Sequence, residues 1–240
     1  MDIRFLCAGD TAVVVEFGDS IDRALSDRVL RLGARVRERR LPGVIETVPT
    51  FRSLMVHYDP LTTDYVNVVG QLEELLDDET GQAVQAKLWR IPACYEEEHA
   101  PDLLDVAQQT GLHPREVVRL HSETHFHVYM IGFVPGYPYM GDLPAALALP
   151  RRADPRIRVP PGSIAIASTM TAIYPLESPG GWHLIGTTPV RLFDARKAHP
   201  SLLSPGDKVT FEPVKAPEFA SLRAASLAGT YDVSFEVIQP

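Results

Sequence analysis

The chain is poor in cysteine: Cys7 and Cys94 are its only two, far apart and outside any CxxC spacing. That excludes a disulfide framework and a zinc knuckle, and it suits a reducing compartment. No stretch approaches the roughly 18 consecutive apolar residues of a membrane helix. The opening residues, MDIRFLCAGDTAVVVEFG, lack a basic region followed by a long apolar core, so the expectation is a cytoplasmic protein without a signal peptide. Positive charge is also scarce, with 23 Lys and Arg against 31 Asp and Glu and a net charge of −8. The densest basic run, Arg35 to Arg40, reads as a solvated helix end, where cations offset the dipole. A nucleic-acid surface needs a broader basic face. There is no Gly-x-Ser-x-Gly elbow and no P-loop, and no Lys occurs between Lys87 and Lys197. Any nucleotide handled here is handled without a familiar motif.

What the 240 residues do contain is 45% hydrophobic side chains, enough for a core without metal or disulfide support. Two regimes meet near residue 80. In the first, residues 3–8 and 11–17 read as strands around Gly9-Asp10. Ile21, Leu25, Val29, Leu32 and Val36 then recur at helical spacing, with Ser20 as a candidate cap. Residues 44–48 and 51–58 predict two more strands, with Leu54 and Val56 facing the core. A second helix starts at a Thr62-Thr63 cap, with Tyr65, Val68, Val69, Leu72, Leu75 and Leu76 on one stripe. Residues 1–80 therefore predict a two-layer ββαββα domain, ended by a polar break at Asp77–Gly81.

The second regime, 81–240, opens with a strand and two short helices, begun by Pro101 and Pro114. Then the texture changes. Sixteen of the fifty-five residues from Pro135 to Pro189 are Gly or Pro. Apolar anchors such as Phe133, Leu147, Ile164 and Ile185 are threaded through them, which disordered segments lack. Short strands with Gly/Pro corners predict a closed β-barrel. The fold class expected is α+β, a small N-terminal two-layer domain followed by a barrel domain with a C-terminal extension.

Three segments of the second regime could carry chemistry. Residues 131–144 (IGFVPGYPYMGDLP) hold six Gly or Pro, stiffening a loop that presents Tyr137 and Tyr139. A barrel corner packing two aromatics would look the same. Residues 150–168 place Arg151, Arg152, Arg156 and Arg158 between prolines. Guanidinium groups there suit planar contact with carboxylate or phosphate, though a solvated basic loop is the plain alternative. In residues 171–189, Gly180-Gly181 allows close backbone approach just before Trp182 and His183. His121, His125 and His127 have a spacing a metal could use, but no carboxylate or Cys completes a set, so no metal site is expected.

The strings LHS at 120–122, GFVPGYPYMGDLP, PRRADPRIRVPPGSIAIA, TAIYPLESPGGWHLIG and LLSPGDKVTFEPV resemble one family along nearly the whole chain. It includes the B subunit of 5-oxoprolinase, the first subunit of allophanate hydrolases, and the Kip inhibitor of a sporulation histidine kinase. The resemblance implies a cyclophilin-like barrel after the N-terminal domain. It also implies a related barrel partner, the C subunit, and a third component, the A subunit. It implies further that this complex uses ATP, with Mg, to open the lactam of 5-oxoproline to glutamate, and that the single chain is inactive alone. On this reading His121, Arg151 and His183 are the candidate catalytic residues. Tyr137, Arg152, Arg156, Gly180, Gly181 and Trp182 are the candidate substrate-binding ones. Family members often carry Arg or His where Thr187 stands. Residues 216–240 resemble tails of urea-amidolyase-like relatives, which adds a urea- or allophanate-processing reading. A kinase inhibitor acting through a barrel surface is the third.

Overall fold

The structure is a computed structural model that describes residues 3–77 and 86–238. The chain forms two compact units, one on each side of residues 78–85. The expected boundary at residue 80 and most of the expected polar break lie outside the described residues.

In the first unit, β1 (Arg4–Cys7) and β2 (Ala12–Glu16) form a hairpin whose turn includes Gly9 at φ +66°. Helix α1 (Arg23–Arg39), strands β3 (Val44–Pro49) and β4 (Ser53–Tyr58), and helix α2 (Tyr65–Asp77) follow. The sheet runs β1-β2-β4-β3, all antiparallel. β4 alternates as its period-2 pattern requires, with Leu54 and Val56 fully buried. Against them pack Val29, Leu32 and Val36 of α1 and Val68 and Leu72 of α2. Burial of each such side chain stabilises by about 1.5–3 kcal/mol.

The helix caps differ from expectation. Asp22, not Ser20, caps α1, its carboxylate accepting from the Leu25 N–H at 3.1 Å, and Ile21 is exposed. Asp64, not Thr62 or Thr63, accepts from the Asn67 N–H at the start of α2. A carboxylate out-competes a hydroxyl here because it also meets the positive end of the helix dipole. The basic run is not wholly solvated either. Arg35 reaches the Leu75 carbonyl at 2.7 Å, satisfying one of the orphan acceptors at the end of α2.

The second unit is a barrel. Its strands are β5 (Ala86–Cys94), β6 (Phe126–Ile131), β7 (Pro138–Gly141), β8 (Arg156–Val159), β9 (Ser163–Ala167) and β10 (Met170–Ile173). They continue with β11 (Ser178–Gly180), β12 (His183–Thr187), β13 (Lys208–Val214) and β14 (Phe235–Ile238). The main sheet runs β12-β9-β10-β7-β6-β13-β5-β14, and β12 also pairs with β5 at Thr187 and Cys94. Seven strands therefore close on themselves, with β14 added outside the ring. Closure pairs both edges of every strand in the ring and leaves β14 as the edge strand. β9 and β10 are buried on both faces, so their sequences are apolar or small throughout rather than alternating.

Helices α3 (Leu103–Thr110), α4 (Pro114–Glu123) and α5 (Ala216–Ala228) complete the unit. Pro114 is the first residue of α4, as expected, whereas Pro101 stands before α3 and Asp102 occupies its cap position. The C-terminal extension is not a loose tail. α5 leads into β14, which pairs antiparallel with β5 from Phe235↔Trp89 to Ile238↔Ala86. Within 131–144 only residues 132–137 form the tip of a hairpin, since β7 pairs with β6 and β10. β8 and β11 form a separate two-stranded ribbon. That ribbon carries the arginine segment up to the Gly180-Gly181 pair.

Candidate active site

The residues singled out by sequence divide into a charged cluster, an aromatic cluster and a buried core network. At the centre of the charged cluster lies a residue that sequence reading missed. Asp102 is 4% exposed and sits at the N-cap position of α3, yet its side chain makes no capping bond there. Instead it accepts two bonds from Arg156, Nη1 to Oδ2 at 2.8 Å and Nη2 to Oδ1 at 2.7 Å. Arg152 Nη1 adds a third at 3.0 Å, and the Leu184 N–H a fourth at 2.6 Å. The Asp102 N–H in turn donates to the Leu184 carbonyl at 2.9 Å. A buried carboxylate needs such compensation, and the fork of Arg156 matches it at two points.

This clamp draws the arginine segment against β12. The Arg152 N–H donates to the Gly181 carbonyl at 2.8 Å, and His183 Nε2 lies 3.0 Å from the Pro150 carbonyl. A carbonyl only accepts, so Nε2 carries the proton; Nδ1 is buried with no hydrogen-bond partner among the described residues. His183 is nearly inaccessible. Arg152 and Arg156 are thus spent on Asp102, and Arg158 faces Glu177 loosely at 3.8 Å. Arg151 is exposed and makes no ion pair among the described residues.

Beside Arg151 lies the aromatic cluster, where its positive charge acts on the hydroxyls of Tyr137, Tyr139 and Tyr174. The Tyr137 ring centroid is 4.9 Å from Tyr139, 5.1 Å from Tyr174 and 6.3 Å from Trp182. Offset and edge contacts of this kind suit aromatic quadrupoles. Burial raises the Tyr137 hydroxyl far above its usual range, and Tyr139 and Tyr174 move the same way for the same reason. All three are hydrogen-bond donors at neutral pH, not bases. Gly180 is the position where close approach is mandatory: a Cβ there would overlap the Tyr174 hydroxyl and ring. Gly181 has room for a Cβ and contributes its carbonyl.

His121 lies elsewhere. It is wholly buried on α4, between the Tyr95 hydroxyl at 2.8 Å from Nδ1 and the Thr171 hydroxyl at 2.9 Å from Nε2. Thr171 spends its own proton on the Ala165 carbonyl at 3.0 Å. It must therefore accept from Nε2–H, which leaves Nδ1 to accept from Tyr95. The ring stacks on Phe211 with centroids 4.6 Å apart. Burial drives the imidazole pKa down to about 3, so it is neutral and both nitrogens are satisfied. Such a group ties the core together and has no face for a substrate. His125 and His127 build no metal site with it; among the described residues no group of three metal-ligating side chains occurs.

A short α/β unit and a seven-stranded closed barrel, with an arginine loop clamped to the barrel by a buried carboxylate, define the class of protein as α+β with a closed barrel. The chain belongs to the family described as carboxyltransferase domain, subdomain C and D, which matches residues 3–203. It is 35% identical to the 5-oxoprolinase B subunit of Bacillus subtilis (strain 168), covering 91% of this chain and 95% of that protein. It is 24% identical to the urea amidolyase of Lachancea kluyveri, over 98% of this chain but 14% of that protein. Among solved structures, TTHA0988 superposes with a TM-score of 0.77 at 34% identity, over 87% of this chain. The chain spans 41% of the length of that structure. No described helix is long and apolar enough to cross a membrane.

Proposed function

We propose that this chain is the B subunit of an ATP-dependent 5-oxoprolinase, working in the cytoplasm with two partners, a C subunit of related barrel fold and an A subunit. The observation that carries the reading is similarity to curated 5-oxoprolinase B subunits along nearly the full length of both proteins. The reaction it serves begins with a stable lactam. Attack of the lactam carbonyl oxygen on the γ-phosphorus of ATP forms a C–O–P linkage and releases ADP. Water then adds to the ring carbon and the C–N bond opens, leaving an acyl phosphate. A second water releases phosphate and glutamate.

In this chain Arg151 is the group best suited to the substrate carboxylate or the transferring phosphoryl charge, because it is exposed and makes no ion pair among the described residues. Tyr139, half-buried beside it, offers a neutral hydroxyl. Arg152 and Arg156 are positioning residues: through Asp102 they fix the loop that carries Arg151. Tyr137, Trp182 and Gly180 shape the adjoining wall, and His183 holds the Pro150 carbonyl at its base. The Mg that accompanies ATP finds no cluster of protein ligands among the described residues, so no step is assigned to it.

The test is 5-oxoproline-dependent ADP and glutamate release by the chain reconstituted with its C and A partners. Activity that is absent with 5-oxoproline but present with urea or allophanate would replace this reading. That second reading draws on the match to urea amidolyase, which extends over 98% of the chain.

A further inference from the structure

The tip of the β6–β7 hairpin carries a backbone feature that packing of the barrel does not require. The Val134 N–H donates to the Gly132 carbonyl at 2.9 Å, closing a three-residue turn around Phe133, whose φ is +68°. A γ-turn with its central residue at positive φ is the rare, strained kind. Glycine takes such an angle without steric cost, whereas a bulky side chain there is an outlier. The surrounding chain holds the tip in this form. The Gly132 N–H donates to the Tyr137 carbonyl and the Tyr137 N–H to the Val134 carbonyl, each at 3.1 Å. Gly136 lies so close to Phe193 that a Cβ would overlap it.

Phe133 is also 59% exposed, so the strain does not serve to bury its ring. That ring stands edge-on to Tyr137, with centroids 5.4 Å apart and planes at 77°. Tyr137 is the shared neighbour of two accessible groups: Phe133 lies against its ring, and the charge of Arg151 acts on its hydroxyl. Tyr137, Tyr174 and Trp182 are themselves buried. The faces of the aromatic wall that a ligand can reach are therefore those of Phe133 and half-buried Tyr139. A residue held at a costly angle, with an apolar face in water beside a site, fits a ligand contact better than a packing role.

We propose that Phe133 is a substrate-contacting specificity residue, its ring covering the methylene face of a small cyclic acid whose carboxylate Arg151 holds. The inference rests on the 5-oxoprolinase reading and adds to it a basis for substrate choice. The lactam ring of 5-oxoproline carries adjacent methylene groups that an aromatic face can cover. Urea and allophanate carry no C–H group, so the same ring gains nothing from them.

Steady-state kinetics of the complex reconstituted with its C and A partners, for wild type, Phe133→Gly and Phe133→Tyr, test it, together with chemical denaturation of each chain. In Phe133→Gly the KM for 5-oxoproline is expected to rise about tenfold with kcat within about twofold, because a ground-state contact is lost. Its denaturation midpoint is expected at or above that of wild type, since glycine relieves the backbone angle. Phe133→Tyr, which keeps the ring, is expected to hold the KM within about twofold of wild type. A lowered midpoint in Phe133→Gly marks a structural residue and overturns the proposal. So does a loss of activity that excess C subunit restores, which marks a contact between subunits. A wild-type complex without 5-oxoproline-dependent ADP release sinks the 5-oxoprolinase reading itself. An active wild type with an unchanged KM in Phe133→Gly sinks this proposal alone.

Discussion

Two buried polar knots sit in the same barrel unit and behave in opposite ways. The Tyr95–His121–Thr171 knot is neutral and closed, with every hydrogen-bonding atom of the imidazole matched inside the core. The Asp102 knot is charged, and its arginines reach out of the core into an exposed loop. The first stabilises the barrel; the second aims a segment of chain. A buried histidine whose partners are all satisfied is therefore weak evidence of catalysis, while a buried carboxylate holding neighbouring arginines leaves the next arginine free to act.

The largest way to break this contrast is Asp102→Ala. It strands two partly buried guanidinium groups and the Leu184 N–H, and should cost about 3–5 kcal/mol in chemical denaturation. The complex should lose activity with it, since the arginine loop is released. Arg151→Ala sharpens the contrast from the other side. Its unfolding free energy should stay within about 0.5 kcal/mol of wild type, while 5-oxoproline-dependent turnover falls by roughly 100-fold. Unchanged turnover would remove Arg151 from the site. Gly180→Ala forces a methyl group onto Tyr174 and should destabilise by about 1–3 kcal/mol, with the tyrosine fluorescence environment altered. Gly181→Ala, which has room, should be close to neutral.

The His121 knot makes a pH prediction. Its folded-state pKa is lowered from the ordinary 6.5 to about 3, so below pH 6.5 the unfolded chain binds a proton that the folded one refuses. Its contribution is fully present above pH 6.5 and is lost as pH falls toward 3, at up to about 1.4 kcal/mol per pH unit. His121→Gln should flatten the acid limb of stability against pH relative to wild type, and measuring both denaturation curves from pH 7 to 4 checks it. An identical acid limb in the two proteins would refute the assignment.

The sequence was most legible where burial follows local periodicity. The stripes of α1 and α2 and the alternation of β4 translated directly into the first core, because each element hides one face. The Gly/Pro-rich stretch announced a barrel, since corners need the special backbone angles those residues supply, as Gly136 at φ +78° does in the 132–137 tip. Caps were less legible: Ser20 fits the pattern, and only the observed bond gives the cap to Asp22. Asp102 could not be found this way. A Pro-Asp pair before an apolar run signals a helix start, which it is, while its partners lie 50, 54 and 82 residues away.

The His121 assignment went astray for the same reason. A histidine on a short amphipathic helix gives no sign of which face meets the core, and the Thr171 that fixes its tautomer is 50 residues distant. Composition and spacing determined the α+β class, the two regimes, and the arginine- and tyrosine-bearing segments, because these depend on residues close together in the chain. Tertiary structure alone decided which arginines are spent, which histidine is sealed, and that the C-terminal segment adds a strand to β5. Those outcomes depend on pairings across tens of residues, where hydrogen-bond geometry and desolvation, rather than local preference, select the partner.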